Sequence, residues 1–274
     1  MILPQDQLPD DVDGVADRAP LEFPPAIDPV FWGTGDLLVW EADHLLKLID
    51  KDKLCSRVRS LVTAAGMPFE KMDPERLKTE CTALCKELSS CNLVLPRGYY
   101  GFFPVITEHD SIVLLDPSDY HSELLSIVCL PVKKLAGRSL ADFYRPEGDV
   151  LAISAVTLGP DIDRHLATNS SDPALAGQTA FLREIVREVL QILVNKISIE
   201  VRRGLGIEGT TGAAFELFDG LVDNSCIRTL FELCGFEERL CIESAGAQTY
   251  APSMSSVQVF AHHPQINNFV YFGT

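Results

Sequence analysis

Pro96-Arg97-Gly98-Tyr99-Tyr100-Gly101-Phe102-Phe103-Pro104 interleaves glycines with aromatic side chains, and its reading decides the fold. It follows a stretch with helical periodicity and leads into two short apolar runs, 101–106 and 111–115. These are separated by Thr107-Glu108-His109-Asp110, which is a hairpin signal. The segment therefore reads as a helix ending, a glycine-hinged turn and the first strand of a sheet.

Upstream, 42–49 and 53–64 read as helices split by Asp50-Lys51-Asp52. Asp73-Pro74-Glu75 is a helix start, with Asp as N-cap and Pro at the first helical position. Leu77, Cys81, Leu84, Cys85 and Leu88 then fall on one helical face. Downstream, 124–132 reads as a strand, 139–143 as a loop or short helix, and 149–158 as a buried strand closed by Gly159-Pro160. Asp172-Pro173 opens the longest helix, which runs from there or from Gln178 to Arg203 and stops at Gly204. Its apolar stripe is wide enough for a central core helix. A shorter helix over 225–234 and closing strands at 256–261 and 269–272 follow. The order does not alternate strand and helix as a doubly wound sheet requires. The expected fold is α+β: a single domain with a twisted, mainly antiparallel sheet flanked by helices. Residues 1–30 are rich in Pro and Asp and read as an extended or disordered acidic arm, leaving 31–274 as the domain.

Composition narrows the function. The 274 residues carry 39 acidic against 23 basic side chains, a net charge of −16. The only basic clusters are Lys133-Lys134 and Arg202-Arg203, which argues against a nucleic-acid partner. No run reaches the roughly 18 apolar residues that span a bilayer, and the N-terminus lacks a signal-peptide pattern. The expectation is a cytoplasmic protein without a membrane partner. The eight cysteines include no CxxC pair. They read as small core residues, with no metal site. No G-x-S-x-G, H-E-x-x-H or P-loop occurs, so a self-contained hydrolase is disfavoured and no catalytic residue is assigned. Asp161, Asp163 and Asp172 read as solvated loop carboxylates.

Four segments in order resemble the activation (reactivation) domain of cobalamin-dependent methionine synthase. Pro96 to Pro104 with 110–116 is similar to the family's PRG-x-x-G-x-FP strand and its hairpin partner. Ser139-Leu140-Ala141-Asp142-Phe143 is similar to its LADF stretch. Residues 149–159 are similar to the strand after it, and 249–264 to its MWP-x-x-SVS…HP ending. The resemblance spans about Trp40 to Phe272. It implies a domain that binds S-adenosylmethionine and docks on a cobalamin-carrying methyltransferase module. There it supports reductive methylation of cob(II)alamin, with electrons from a flavodoxin-type donor. The chain has no DxHxxG motif, so cobalamin must be presented by a partner protein.

The same resemblance places an Arg-x-x-x-Gly-Tyr ligand signature just after the long helix. Here the arginine position holds Glu208 and the tyrosine position Ala213, while Gly206, Ile207 and Gly212 fall in place. A carboxylate at Glu208 would repel that of S-adenosylmethionine by of order ~4 kcal/mol at 4 Å in a partly buried site. The expected ligand-binding residues are Asp50, Glu208, Thr210, Gly212, Ala213, Tyr250, Ser253 and Ser255. Asp50 falls on the family's acidic position in an early helical turn, and a solvated turn Asp also explains it. Tyr250, Ser253 and Ser255 would line the ligand or cobalamin face, or satisfy turn groups. His262-His263 reads as a strand end. Three alternatives stay open for the altered signature. Arg202, Arg203 or Arg228 supplies the missing charge; the site takes another ligand; or the chain is a non-catalytic corrinoid-protein binding subunit whose S-adenosylmethionine site is lost.

Overall fold

The computed structural model describes residues 21–60, 73–132, 135, 137–172, 175–217, 220, 222–245 and 249–266. Two short strands, β1 (Gly33–Thr34) and β2 (Leu38–Val39), precede three helices: α1 (Ala42–Lys47), α2 (Lys51–Ser60) and α3 (Pro74–Ser90). Then come β3 (Arg97–Glu108), β4 (Ser111–Asp116), β5 (Asp119–Val128) and β6 (Asp149–Thr157). Helices α4 (Pro160–Ser170) and α5 (Ala176–Gly204) lead to β7 (Ala213–Glu216). Helices α6 (Ile227–Cys234) and α7 (Phe236–Leu240), strands β8 (Glu243–Ser244) and β9 (Tyr250–Ala251), and β10 (Ser255–Ala261) complete the order.

The main sheet is antiparallel throughout, in the order β5-β4-β3-β6-β10-β7, with β1 and β2 also paired to β3. The α+β class expected from the sequence is therefore observed. Strand β3 is the quoted stretch, and it pairs with β6 from Arg97 to Val105. Its glycines are not a hinge, as expected above; they lie inside the strand and allow close approach. A Cβ on Gly98 would come within 2.8 Å of the Trp40 ring, and one on Gly101 within 2.7 Å of the Gly33 carbonyl oxygen. Side chains alternate across the sheet. Tyr99, Phe103, Leu151, Ile153, Val257 and Val259 enter the core that α6 and α7 cover. Phe102, Ala152 and Phe260 face the other way, toward the end of α5. Helices α1 to α5 build a further core around Leu45, Leu84, Phe181 and Val189.

Other expectations shift by a few residues. Strand β5 begins earlier than 124 and ends at Val128. The 139–143 stretch holds a short 3₁₀ turn, Ala141–Phe143. Asp73 stands before α3 without a side-chain capping bond. Asp161 and Asp163 lie in the first turn of α4 rather than in a loop, which suits acidic groups at a helix N-terminus. Residues 21–30 rest against the body: Phe23 meets His263 edge-on at 5.1 Å, and the Val30 amide donates to the Gly204 carbonyl at 2.9 Å. Residues 1–20 of the expected arm, 61–64 of the expected helix, Lys133-Lys134 and the expected strand at 269–272 lie outside the described residues. Among the described residues no helix is long and apolar enough to cross a membrane.

Candidate functional site

Helix α5 ends at Gly204, and residues 206–212 return the chain to the sheet edge as β7. Gly206, Gly209 and Gly212 all adopt positive φ, which lets this short loop turn back on itself. Gly212 is the tight point. A Cβ there would sit 2.7 Å from the Phe260 ring and 2.8 Å from the Ala261 carbonyl oxygen.

Arg202, on the last turn of α5, ties the loop down. Its Nε donates to the Thr211 carbonyl at 3.1 Å, Nη2 to that of Gly212 at 3.3 Å and Nη1 to that of Ser198 at 3.4 Å. The guanidinium also lies over the Phe260 ring, 5.0 Å from its centroid. It is a partly buried cation at the base of the loop that carries Glu208. The other candidates serve their own helices: Arg203 pairs with Glu200 at 2.5 Å and Arg228 with Glu232 at 3.0 Å.

Between α5 and the β7–β10 edge lies a cleft of about 570 Å³, lined by Gln191, Asn195, Ser198, Arg202, residues 212–214 and Gln258. This volume is in the range of small-molecule sites. The predicted residues divide around it. Gly212 and Ala213 form its wall and are buried. Glu208 and Thr210 are exposed on the loop outside it. The penalty expected for Glu208 assumed partial burial; water screens a carboxylate at this exposed position, so that penalty shrinks.

The remaining predicted residues stand elsewhere. Asp50 is exposed, and its Oδ1 accepts from the Lys53 amide at 3.0 Å, capping α2. Ser255 Oγ donates to Thr157 Oγ1 at 2.9 Å, at the opposite end of β10 from Ala261 and its partner Ala213. Six residues of strand separate those ends by roughly 20 Å. Ser253 donates to Asp163 through its amide and, at 2.9 Å, through its hydroxyl. Tyr250 stacks on Phe231 and donates to the Val257 carbonyl at 3.3 Å. Ser253, Ser255 and Tyr250 thus have structural partners and do not join the cleft.

Sequence reasoning missed Gln258, Asn195, Gln191 and Ser198 as cleft residues. A signal was present for Gln258, a carboxamide between Val257 and Val259 in a strand that is buried throughout. It also missed a buried charge network behind the site. His262 Nε2 lies 3.2 Å and Arg145 Nη2 3.3 Å from Asp149 Oδ1, with the carboxyl almost fully enclosed. Burial pushes the Asp149 carboxyl up, but the hydrogen bond and charge of His262 and the bonds from Arg145 outweigh it and hold it at about 2. His263 is held below its ordinary value, first by burial and then by the neighbouring His262, and its Nδ1 accepts from the Gln265 amide. The histidine pair is therefore a buried network, more than the end of a strand.

The eight cysteines are free, and Cys55, Cys81, Cys129, Cys226 and Cys234 are buried, as small core residues. Among the described residues no three metal-ligating side chains converge.

No protein-family model matches this chain, and no curated protein matches it. Solved structures do. The chain is similar to a crystal structure of the MetH reactivation domain bound to AdoHcy, with 17% identity and a TM-score of 0.71, over 89% of this chain and 82% of that one. The chain has the α+β fold of the MetH reactivation domain.

Proposed function

We propose that this chain acts as a reactivation module of a cobalamin-dependent methyltransferase system of the methionine synthase type. In this reading it works in the cytoplasm, holds S-adenosylmethionine in the α5–β7 cleft, and docks on a module that carries the corrinoid. The chemistry supplied there is reductive methylation: cob(II)alamin takes one electron from a flavodoxin-type donor and the methyl group of S-adenosylmethionine, leaving methylcobalamin and S-adenosylhomocysteine. The chain's own part is binding and positioning. The observation that carries the reading is the likeness, over 89% of the chain, to a reactivation domain with AdoHcy bound. Arg202 supports it, since the guanidinium brings positive charge to the cleft wall from the helix side.

A second reading has its own observation. Glu208 and Ala213 stand where the family signature has Arg and Tyr, which favours a corrinoid-protein binding subunit with an altered or lost adenosyl site. Calorimetry with S-adenosylmethionine and S-adenosylhomocysteine, beside sedimentation with a corrinoid methyltransferase, separates the two. Saturable heat at micromolar to millimolar ligand is expected for the first reading. A stable complex without ligand heat selects the second, and neither heat nor complex removes both.

A further inference from the structure

We propose a second binding site, for a small molecule that combines a planar aromatic ring with an acidic oxygen. The ring lies in a corner made by Trp32 and Tyr120, and the oxygen meets Arg145. The site shares no lining residue with the α5–β7 cleft, and the inference stands apart from the function proposed above.

Helix α5 covers its face of the sheet only as far as Gly204, where an added Cβ would lie 2.6 Å from the Phe102 ring. Strand β3 runs on past that point, and Pro104 and Ile106 follow Phe102 on the same face. A cavity of about 590 Å³ opens over them, walled on one side by Ile27 and Trp32. This volume suits a small molecule. Leu115 and Val150 complete an apolar floor and are buried. The pairing of β4 with β5 shifts register on both sides of Leu115, and such irregularities bend a strand pair and re-aim its side chains. Tyr120, just past the irregularity, is 49% exposed. It meets Trp32 edge-on, at 5.9 Å between ring centroids and 90° between planes. Two rings at right angles form a corner. A third ring can stack on one and turn its edge to the other, and aromatic pairs favour both arrangements.

The polar end of the cavity is built from behind. Arg145, on the cavity wall, donates to Asp149 Oδ2 through its amide at 3.0 Å and Nε at 3.5 Å, and to Oδ1 through Nη2 at 3.3 Å. His262 Nε2 approaches the same Oδ1 at 3.2 Å. The Asp149 carboxyl is thus enclosed and occupied by its two partners. The guanidinium keeps Nη1, which makes no hydrogen bond among the described residues and is not sealed from solvent. A guanidinium held along one side presents its remaining N–H groups in a fixed plane, and that suits an oxygen of a carboxylate, sulfonate or phosphate. Glu147 is the opposing charge, but it stands exposed at the rim, where water screens it. Gly148 leaves the mouth open, since nothing lies within 4 Å of an added Cβ there. An aromatic corner, an apolar floor and one fixed cation together select an aromatic acid.

The test uses the whole protein and two fluorescent probes. One is 8-anilinonaphthalene-1-sulfonate; the other is N-phenyl-1-naphthylamine, the same rings without the acid. Each is titrated into wild type, Tyr120→Ser and Arg145→Lys, with melting curves of all three proteins. Wild type is expected to bind the sulfonate saturably, one per chain. Tyr120→Ser removes one wall of the corner at an exposed position, so it should weaken both probes by about 5–10-fold without lowering the melting temperature. Arg145→Lys keeps a cation but loses the planar fork. It should weaken the sulfonate by about 5–10-fold and leave the neutral amine unchanged. Unsaturable binding, or equal affinity in wild type and Tyr120→Ser, places the probe elsewhere and overturns the inference. Equal weakening of both probes in Arg145→Lys, with a lower melting temperature, gives Arg145 a structural role only and also overturns it.

Discussion

Gly212→Ala tests whether the α5–β7 loop is built as described. Two separable costs apply. The residue sits at φ +83, where an L side chain is strained by about 1–2 kcal/mol. A Cβ would also press on the Phe260 ring at 2.7 Å and the Ala261 carbonyl oxygen at 2.8 Å, neither of which is the free end of a flexible chain. Overpacking of that kind costs about 1–3 kcal/mol. Gly209→Ala is the internal control, because it has φ +72 with nothing within 4 Å of the added carbon. Thermal unfolding of both variants should show Gly209→Ala lower than wild type by a few degrees, and Gly212→Ala lower by about 4–20 °C, at roughly 2–4 °C per kcal/mol. Ligand affinity should follow Gly212 alone, since relief of the clash displaces Phe260 or the Arg202 that stacks on it. Equal melting shifts for the two alanines would refute the close approach, and with it the placement of β7 against β10 at this point.

Two further outcomes follow from the same geometry. Asp149→Asn removes a carboxylate whose bonds to His262 and Arg145 hold it at about 2, and the loss should cost about 3 kcal/mol by denaturant unfolding near pH 7. Its folded value lies below the ordinary one of 3.8, so its contribution is complete above about pH 4 and is lost as pH falls toward 2. Buried His263 adds to the acid side from below its own ordinary value of 6.5, and a wild-type pH profile that rises on acidification would contradict both. Glu208→Arg places a cation at an exposed position beside the cleft. It should leave the melting temperature nearly unchanged and tighten S-adenosylmethionine by about 2–5-fold in calorimetry, and an unchanged affinity would show that this position does not face the ligand.

The sheet was legible where the chain combines alternation with clear punctuation. Strands β3, β4 and β6 carry long apolar runs bounded by turn residues, and α5 carries a wide stripe over many turns. Helix α4 carries the same sequence signature as α3, a proline at the first helical position, here Pro160, with Ile162 and Leu166 four apart, but a weaker apolar stripe. The acidic first turn, with Asp161 and Asp163, fits a solvated loop as well as a helix N-terminus, and only two apolar side chains mark the buried face. Strand β7 has four residues, too few to show a period, and it exists because β10 offers it an edge. The glycines of β3 suit a hinge equally well in sequence, which shows that a side chain is missing and not what fills its place; Trp40 and the Gly33 carbonyl are distant in sequence and meet β3 only through strand pairing. Site residues were harder for the same reason. Gln191, Asn195 and Ser198 become neighbours of Gln258 only after α5 is laid across the sheet.

The departure at Glu208 takes on a different meaning once the loop has a shape. A motif arginine and an acidic replacement look like opposite chemistries when compared position by position. Here the position is exposed, and the positive charge nearest the cleft comes six residues earlier, from Arg202 on the helix. The fold can tolerate such an exchange because what fixes the loop is backbone: glycines at positive φ and carbonyls of Thr211 and Gly212 accepting from one guanidinium. A charge held by a helix is also more rigidly placed than one on an exposed loop, and it is the loop carbonyls that hold it. Under the proposed function, binding and loop order would be coupled through Arg202: a ligand carboxylate that drew the guanidinium toward the cleft would take it from the Thr211 and Gly212 carbonyls.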